Sequence, residues 1–272
     1  GAMVVAKNGT SMVTAGLDFW YRRENDQADP SEDSLREFKV AEWRLERRLG
    51  VSHFRLPPDW RESRDGQGVP NPYLSVPFLK FPTWYSCRKC SLMHQSEPTE
   101  RTTPQCSRCQ ARGWYGRMVQ VPIVAVCRQG HLMEFPWRQW AHRTAHPTCT
   151  RSLQLFSVGG ATLASKLVSC ECGAKRSLSG VTSSTPDGQT TLTSTLTDTP
   201  FLCRGERAWI GEDSAQQPCN SPVQGSLRNA LNVYYADVQS AIFLPIGSGS
   251  VPLVLMDAIY TEVQALTAML EG

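Results

Sequence analysis

The sequence lacks a long hydrophobic run, and this absence excludes one class of protein. No stretch of about eighteen apolar residues occurs in the 272-residue chain, so we expect no membrane-spanning segment. No apolar leader opens the sequence either, which favours the cytoplasm over secretion. The sequence also contains no G-x-x-x-x-G-K-[ST] loop and no H-E-x-x-H motif. We therefore predict neither a P-loop motor nor a zincin protease, and we do not expect an enzyme.

Charge and hydrophobic content are both modest. The formal net charge is +3, which permits a polyanionic partner without requiring one. Hydrophobic residues make up 40% of the chain, so the core is expected to be small for this length. Bound metal is therefore expected to supply part of the folding energy.

Cysteine is the residue type that the sequence does contain in an informative pattern. Two Cys-x-x-Cys pairs, Cys87 with Cys90 and Cys106 with Cys109, are separated by fifteen residues. This spacing is typical of a zinc ribbon or treble-clef knuckle with a closed, structural site. A disulfide framework is the competing interpretation, but it requires an oxidising compartment and is characteristic of much shorter chains.

The remaining cysteines and two histidines predict two further four-ligand sites. One expected set is Cys127, His131, Cys149 and either His142 or His146. The other expected set has four cysteines: Cys170, Cys172, Cys203 and Cys219. Three sites would then use every cysteine of the chain, so we predict three Zn²⁺ ions, with iron disfavoured because no iron–sulfur cluster spacing occurs.

A catalytic zinc site is the weaker alternative. Such a site keeps an open coordination position and usually has a carboxylate nearby. Glu134 and Glu171 are the acidic residues close to the expected ligands, and neither belongs to a known catalytic zinc motif. If the chain were a zinc hydrolase, Glu134 would be the candidate general base.

The fold class predicted from these patterns is α+β, with small zinc-stabilised, β-rich modules behind an N-terminal helical segment. Four segments are expected: residues 4–73 (helical), 74–120 (zinc ribbon), 121–225 (second zinc-binding, β-rich module) and 226–272 (C-terminal segment with a terminal helix).

Periodicity and turn residues predict the individual elements. Helices are expected over 33–49 and 257–270, and strands over 79–86, 118–127, 153–158 and 167–170. The Thr- and Ser-rich stretch 182–199 is expected to form a surface hairpin or a loop. Residues 247–250, with the sequence Gly-Ser-Gly-Ser, fit either a natural turn or an engineered splice.

Several phrases of the sequence resemble the DrmB family of the DISARM bacterial anti-phage system. The phrases are EFKVAEWRLERRLGV (37–51), HFRLPPD (53–59), FPTWYSCRKC (81–90), VCRQGHLMEFPWRQWAH (126–142), SCECGAKRSLSG (169–180), CRGERAWI (203–210) and LRNALNVYYADVQSAIFLP (227–245). The motif W-x-H favours His142 over His146 as the ligand. Members of this family are typically longer than this chain, with a further domain after the matching region.

The resemblance implies an accessory subunit that works beside a superfamily 2 helicase and touches DNA. The residues expected to contact nucleic acid are Arg108, Arg112, Arg117, Lys175 and Arg176. Trp114 and Tyr115 are expected to be exposed, whereas Trp137 and Trp140 are expected in the core. The alternative is a protein-interaction scaffold that ignores DNA and docks its partner through an apolar patch at 233–244.

Overall fold

The computed structural model describes residues 2–21, 35–59, 74–185, 187–196, 198–210, 219–230, 233, 238–241 and 252–271. Residues 247–250 and most of the patch expected at 233–244 lie outside this part of the chain. No helix in these ranges is both long and apolar enough to cross a lipid bilayer.

The described residues form short strands and a few helices. The strands are β1 Met3–Val5, β2 Ser11–Thr14, β3 Lys39–Val40, β4 Phe54–Arg55, β5 Phe78–Lys80, β6 Trp84–Cys87, β7 Met93–Gln95, β8 Met118–Gln120, β9 Ile123–Cys127, β10 Leu132–Glu134, β11 Leu153–Ser157, β12 Lys166–Cys170, β13 Lys175–Ser177 and β14 Val223–Leu227. The α-helices are α1 Trp43–Leu49, α2 Ser107–Gln110, α3 Trp137–His142, α4 Thr191–Ser194 and α5 Leu253–Glu271. Turns of 3₁₀ helix span Leu17–Phe19, Arg36–Phe38 and Leu163–Ser165. The protein is thus a mixed fold of small helices and β-structure.

The strands pair into small antiparallel sheets. Among the described residues, the three-stranded sheets have the orders β1-β2-β5, β7-β6-β8, β10-β9-β14 and β11-β12-β13, and β3 pairs with β4. No sheet of this size can bury a large core on its own. Other interactions must therefore fix the loops that connect the sheets.

Several expected elements differ from the structure in their bounds. The strand expected over 79–86 is divided into β5 and β6, which belong to different sheets. The strand expected over 118–127 is divided into β8 and β9, which belong to different sheets. Pro122 lies at the division, and proline has no N–H to donate to a ladder. Of the helix expected over 33–49, residues 33–34 lie outside the described part of the chain. Within the described part, Arg36–Phe38 forms a 3₁₀ turn, Lys39–Val40 pairs with Phe54–Arg55, and α1 begins only at Trp43. It still ends before Gly50, which adopts the left-handed conformation that ends many helices.

The stretch 182–199, expected to form a hairpin or a loop, is described except for residues 186 and 197. The described residues show an isolated bridge between Ser184 and Thr190, followed by the single-turn helix α4. Thr190 caps this helix: its side chain accepts the backbone N–H of Thr193, while the Thr193 hydroxyl accepts the backbone N–H of Thr190. Threonine and serine favour such caps over helix interiors, which explains why this composition begins a short helix.

The chain divides into two compact units. One unit contains Gly1–Phe38 and Leu56–Ala236, so both expected zinc modules belong to it. The other contains Lys39–Arg55 and Asp237–Gly272. In the second unit, Arg47 pairs with Asp257 of α5 at 2.6 Å and lies 3.8 Å from the Tyr260 ring centre. Local periodicity does not reveal such long-range contacts.

The main hydrophobic core of the larger unit forms around two tryptophans. Trp137 and Trp140 of α3 are 1% and 0% exposed, as the sequence predicts, and both pack against Phe135 with tilted rings. The indole N–H of Trp140 donates to the Ser177 carbonyl at 3.1 Å. This contact holds α3 against the β11-β12-β13 sheet and fixes the direction of the α3 C-terminus, where His142 lies.

Candidate metal centres

The first cluster combines the two Cys-x-x-Cys pairs. Cys87 ends β6, and Cys90 lies in the turn before β7. Cys106 directly precedes α2, and Cys109 lies within it. The Sγ atoms of Cys87 and Cys109 are 3.7 Å apart, and those of Cys90 and Cys106 are 3.4 Å apart. Disulfide sulfurs are about 2.05 Å apart, so these thiols are not bonded to one another.

Gly116 allows the first cluster to close. A Cβ atom at this position would lie 2.7 Å from both Cβ and Sγ of Cys109 and 3.0 Å from Cβ of Cys106. These atoms cannot move away without shifting the ligands themselves. The chain segment after α2 therefore packs directly onto the cysteines, and the exposed residues before Gly116 are anchored to the cluster.

The second and third clusters combine ligands differently from the sequence prediction. The structure brings Cys127 and His131 together with Cys203 and Cys219, and it brings His142 and Cys149 together with Cys170 and Cys172. The predicted sets, Cys127-His131-His142-Cys149 and Cys170-Cys172-Cys203-Cys219, are therefore wrong as groupings. The residues are the twelve named from the sequence, but each predicted set is split between two clusters.

Strand pairing gives the reason for the second cluster. Cys127 ends β9 opposite Val223 of β14, and His131 lies just before β10, which pairs with β9 on its other side. The segment that enters β14 therefore reaches the same sheet end. Within it, the backbone N–H of Cys203 donates to the Ser221 carbonyl at 2.9 Å, beside Cys219. Sequence order cannot show that β14 pairs with β9 from almost a hundred residues away, or that the segment before β14 supplies these ligands.

The third cluster assembles where α3 ends against β12. Cys149 and Cys170 have their Sγ atoms 3.6 Å apart, and His142 Nε2 is 3.3 Å from Cys172 Sγ. The other ring nitrogen of His142, Nδ1, lies 2.8 Å from the Arg138 carbonyl oxygen. A donor at Nδ1 leaves Nε2 free to act as a ligand, which is the usual arrangement of metal-binding histidines. His146 is exposed and belongs to no cluster among the described residues.

Arg138 is a supporting residue whose role the sequence did not reveal. It is one of many basic residues, but its guanidinium donates to the carbonyls of Cys149 and Arg151 at 3.1 and 2.8 Å. Its own carbonyl accepts from His142. Arg138 thus braces two ligands of the third cluster. The i, i+4 spacing of Arg138 and His142 on one helix was the available signal.

The donor sets fit a tetrahedral, thiophilic cation such as zinc. In each cluster the potential ligand atoms lie within 4.8 Å of one another. A Zn–S bond of about 2.3 Å puts two tetrahedral sulfurs about 3.8 Å apart, close to the Sγ separations of 3.4 to 3.7 Å in the first and third clusters. With four protein ligands each, the clusters have the composition of closed structural sites rather than catalytic ones.

The electrostatics of the thiols also favour a bound cation. Burial raises the pKa of Cys109 and of Cys203 to about 12, so neither would ionise near neutral pH alone. Cys172 differs, because the backbone N–H of Ala174 and the neighbouring Cys170 lower its pKa to about 6. Each cluster contains at least one thiol with a lowered pKa. A cation can bind there first, and its charge then favours ionisation of the buried partners.

The five basic residues expected at a nucleic-acid interface occupy two kinds of environment. Arg112, Arg117 and Lys175 are exposed. Arg108 instead forms a salt bridge with Glu171, which joins α2 to the turn of the third cluster. Arg176 lies 3.5 Å from the centre of the Trp140 ring, and burial lowers its pKa to about 10. Arg108 and Arg176 are thus engaged in internal contacts.

Glu134, the candidate base of a hydrolase, lies outside every cluster of the described residues. One carboxylate oxygen accepts the Thr83 backbone N–H at 2.5 Å, and the other is buried without a partner in the described part of the chain. Burial raises the pKa of Glu134 to about 7. Its position between strands gives it a structural environment rather than a place beside a metal ligand set.

Comparison with known proteins supports the resemblance seen in the sequence. The chain is 26% identical over 247 residues to the DISARM protein DrmB of Bacillus paralicheniformis. The match covers 86% of this chain but only 36% of that protein, so the chain spans about a third of its relative's length. The expected resemblance to DrmB is confirmed. A family model described as a domain of unknown function, DUF8724, matches residues 1–235. Because this match covers most of the 272 residues, the chain belongs to the DUF8724 family.

Proposed function

We propose that this chain is a zinc-binding accessory subunit of an anti-phage defence complex, acting in the cytoplasm. In this role it binds DNA and a superfamily 2 helicase and has no catalytic activity of its own. Similarity to DrmB supports the defence role, and the three four-ligand clusters support a structural role for zinc. Any phosphate hydrolysis in the complex would then belong to the helicase.

The observation that carries the DNA-binding part is the exposed loop anchored to the first cluster. Trp114 is 45% exposed and Tyr115 is 79% exposed, although large aromatic side chains are usually well buried. Lys89 Nζ and the Arg112 guanidinium lie 4.3 and 5.6 Å from the Trp114 ring centre. Exposed aromatic rings beside cations commonly bind single-stranded nucleic acid, because the rings stack on bases and the cations contact phosphates.

The loop is held in a defined conformation, which supports a binding role. The backbone N–H of Trp114 donates to the Cys109 carbonyl at 2.9 Å, and Gly116 packs on the Cys109 side chain. Both ends of the exposed segment are therefore tied to the first cluster. A bound metal ion would fix the loop in advance, so that less conformational entropy is lost when a ligand binds.

Neutralising exposed cations tests DNA binding. The double variant Arg112→Gln/Lys175→Gln should weaken DNA binding. It should also reduce the magnitude of the slope of log K against log salt concentration by about 1 to 2, because binding with fewer phosphate contacts releases fewer counterions. The matched control is Lys39→Gln/Arg204→Gln, which removes the same charge from exposed sites elsewhere. Fluorescence anisotropy over a salt series measures both. Equal slopes in the two variants would contradict the proposal.

A scaffold without DNA binding is the second candidate, and the C-terminal helix favours it. Helix α5 has exposed apolar side chains along its length, among them Val254 at 82% and Met269 at 79%. Such a surface is typical of a protein-binding site. If the scaffold interpretation is right, the purified chain copurifies with the helicase of its defence system but does not bind DNA at physiological salt.

A further inference from the structure

A small pocket lies beside β8, where the turn between β1 and β2 approaches the segment that follows the first cluster. Its volume is about 260 Å³, and its lining includes Asn8, Thr10, Tyr85, Tyr115, Arg117 and Gln120. Pockets for drug-sized ligands begin at about 300 Å³. This pocket is therefore suited to one planar ring with a few polar groups rather than to a large ligand.

The chemistry of the lining selects the kind of ligand. Tyr115 and Arg117 are both exposed, so one supplies an accessible aromatic face and the other an accessible cation. No aspartate or glutamate occurs among the described lining residues, which leaves the positive charge of Arg117 unopposed within the pocket. An aromatic face beside a cation, with neutral polar groups around them, matches a base attached to a phosphate.

Tyr85 adds a second and independent observation. Its side chain is 2% exposed, and its hydroxyl has no hydrogen-bond partner among the described residues. Buried polar groups nearly always have a partner, so an unpaired hydroxyl in a pocket lining indicates a ligand or water that completes it. A polar edge of a base can supply that partner.

Gln120, next to Tyr85 in the lining, is already fixed by its own hydrogen bonds. Its Oε1 accepts from the Ser11 backbone N–H and from Arg228, both at 2.7 Å. Its Nε2 donates to the Pro82 carbonyl at 2.6 Å. The amide therefore cannot rotate to satisfy Tyr85, and the pocket wall is rigid at this point.

A second pocket adjoins the first along β8. It has a volume of about 240 Å³, shares Val119 and Gln120 with the first, and adds Arg88, Phe156 and Lys166. The backbone N–H of Arg88 donates to the Arg117 carbonyl at 3.0 Å, so these two arginines are close along the surface. Phosphates of a strand that leaves the first pocket would therefore meet further positive charge.

We propose that the β8 pocket binds a single nucleotide, with the base against Tyr115 and the phosphate at Arg117, and that the chain consequently prefers single-stranded to duplex DNA. Bases in a duplex are stacked and paired, and they cannot enter a pocket of this size. The DNA part of this inference rests on the proposed function, whereas the pocket chemistry also fits a free nucleotide.

Two tyrosine variants and one control test the pocket. Tyr115→Ala should weaken binding of an oligothymidylate of about 12 nucleotides by roughly five- to a hundredfold, the usual effect of losing one stacking partner. Tyr85→Phe should weaken it by about two- to tenfold through loss of one hydrogen bond. Phe19→Ala, which removes another exposed aromatic ring, should have no effect. Fluorescence anisotropy measures binding, with a blunt duplex of equal length and thymidine monophosphate as competitors.

Tyr85→Phe also separates a binding role from a structural one. Removing an unpaired buried hydroxyl should leave the melting temperature unchanged or raised, so weaker binding by this variant cannot be attributed to unfolding. Weakened binding at an unchanged melting temperature supports the pocket. Wild-type affinity in both tyrosine variants, or equal affinity for duplex and single strand, overturns it.

The remaining outcomes distinguish the pocket from the proposed function. DNA binding that is sensitive to Arg112→Gln/Lys175→Gln but not to the tyrosine variants overturns the pocket and leaves the proposed function standing. Thymidine monophosphate binding without any DNA binding supports the nucleotide pocket and overturns its assignment to DNA. If neither ligand binds, both proposals are wrong.

Discussion

At the scale of single residues, Gly116 is the position where a small change should have the largest local effect. We expect Gly116→Ala to lose one bound metal ion per chain, because the new Cβ would lie 2.7 Å from the Cys109 Sγ. Gly113→Ala is the matched control. Unlike Gly116, Gly113 has a positive φ, of 67°, but a Cβ there meets nothing within 4 Å. It should cost only about 1 to 2 kcal/mol of backbone strain and retain all metal. Elemental analysis measures the number of metal ions per chain in the two variants. Equal metal content in both would contradict the expectation.

Glu134 should make the stability of the protein depend on pH. Burial raises its pKa to about 7 in the folded state, whereas an unfolded glutamate titrates near pH 4.3. The folded state therefore binds the Glu134 proton more tightly than the unfolded state does. The stability that this proton contributes is complete below about pH 4.3 and is lost as pH rises through about 7. Between about pH 6 and pH 8, the wild type should lose about 1 kcal/mol more of unfolding free energy than Glu134→Gln. Denaturant titrations of the metal-loaded proteins measure this difference. Parallel pH profiles would show that Glu134 is not buried as described.

At the scale of elements, the partition of ligands between the second and third clusters can be tested by double substitution. Cys127→Ser and Cys203→Ser affect the same cluster, so the double variant should lose one metal ion, the same number as either single variant. Cys127→Ser with Cys149→Ser affects two clusters and should lose two ions. The grouping predicted from the sequence gives the opposite result for both pairs. Metal analysis of folded protein, checked by circular dichroism, distinguishes them.

The elements also show why sequence reasoning found the ligands but not their partners. The first cluster could be predicted because all four cysteines lie within one module of twenty-three residues, Cys87 to Cys109, where local spacing defines the geometry. The second cluster depends on β14 pairing with β9, and the third on α3 packing against β12 and β13. These contacts are long-range, and spacing along the chain carries no information about them.

At the scale of the whole molecule, we expect three zinc ions per chain, and their removal should unfold much of the larger unit. The sheets are small, and each described cluster joins the end of a strand to segments outside the sheets. In a domain of moderate size, a loss of about 1 kcal/mol of stability lowers the melting temperature by roughly 4 °C. Treatment with a strong chelator should lower the melting temperature by well over this amount, because metal binding contributes to folding. Re-addition of zinc should restore it. An unchanged melting temperature after complete metal loss would show that the clusters do not support the fold.

Bound metal also changes the charge that a partner meets. Ten thiolates and three dications would change the formal net charge from +3 to −1. Net charge thus gives no general attraction to DNA, and any binding must come from local groups such as Arg112 and Arg117. The sequence count alone overstates the basic character of the metal-loaded protein.

Sequence reasoning alone predicted the twelve candidate ligands, the separate first cluster, the exposure of Trp114 and Tyr115, and the burial of Trp137 and Trp140. Residue type, local spacing and side-chain chemistry are sufficient for these. Tertiary contacts were needed to show which ligands share a cluster and that Arg108 and Arg176 contact other protein groups. They also show that the Tyr85 hydroxyl, which has no partner among the described residues, lines the same pocket as Tyr115. These features depend on which strands pair and which helix packs on which sheet, and burial and long-range contacts of that kind are not encoded in any local segment.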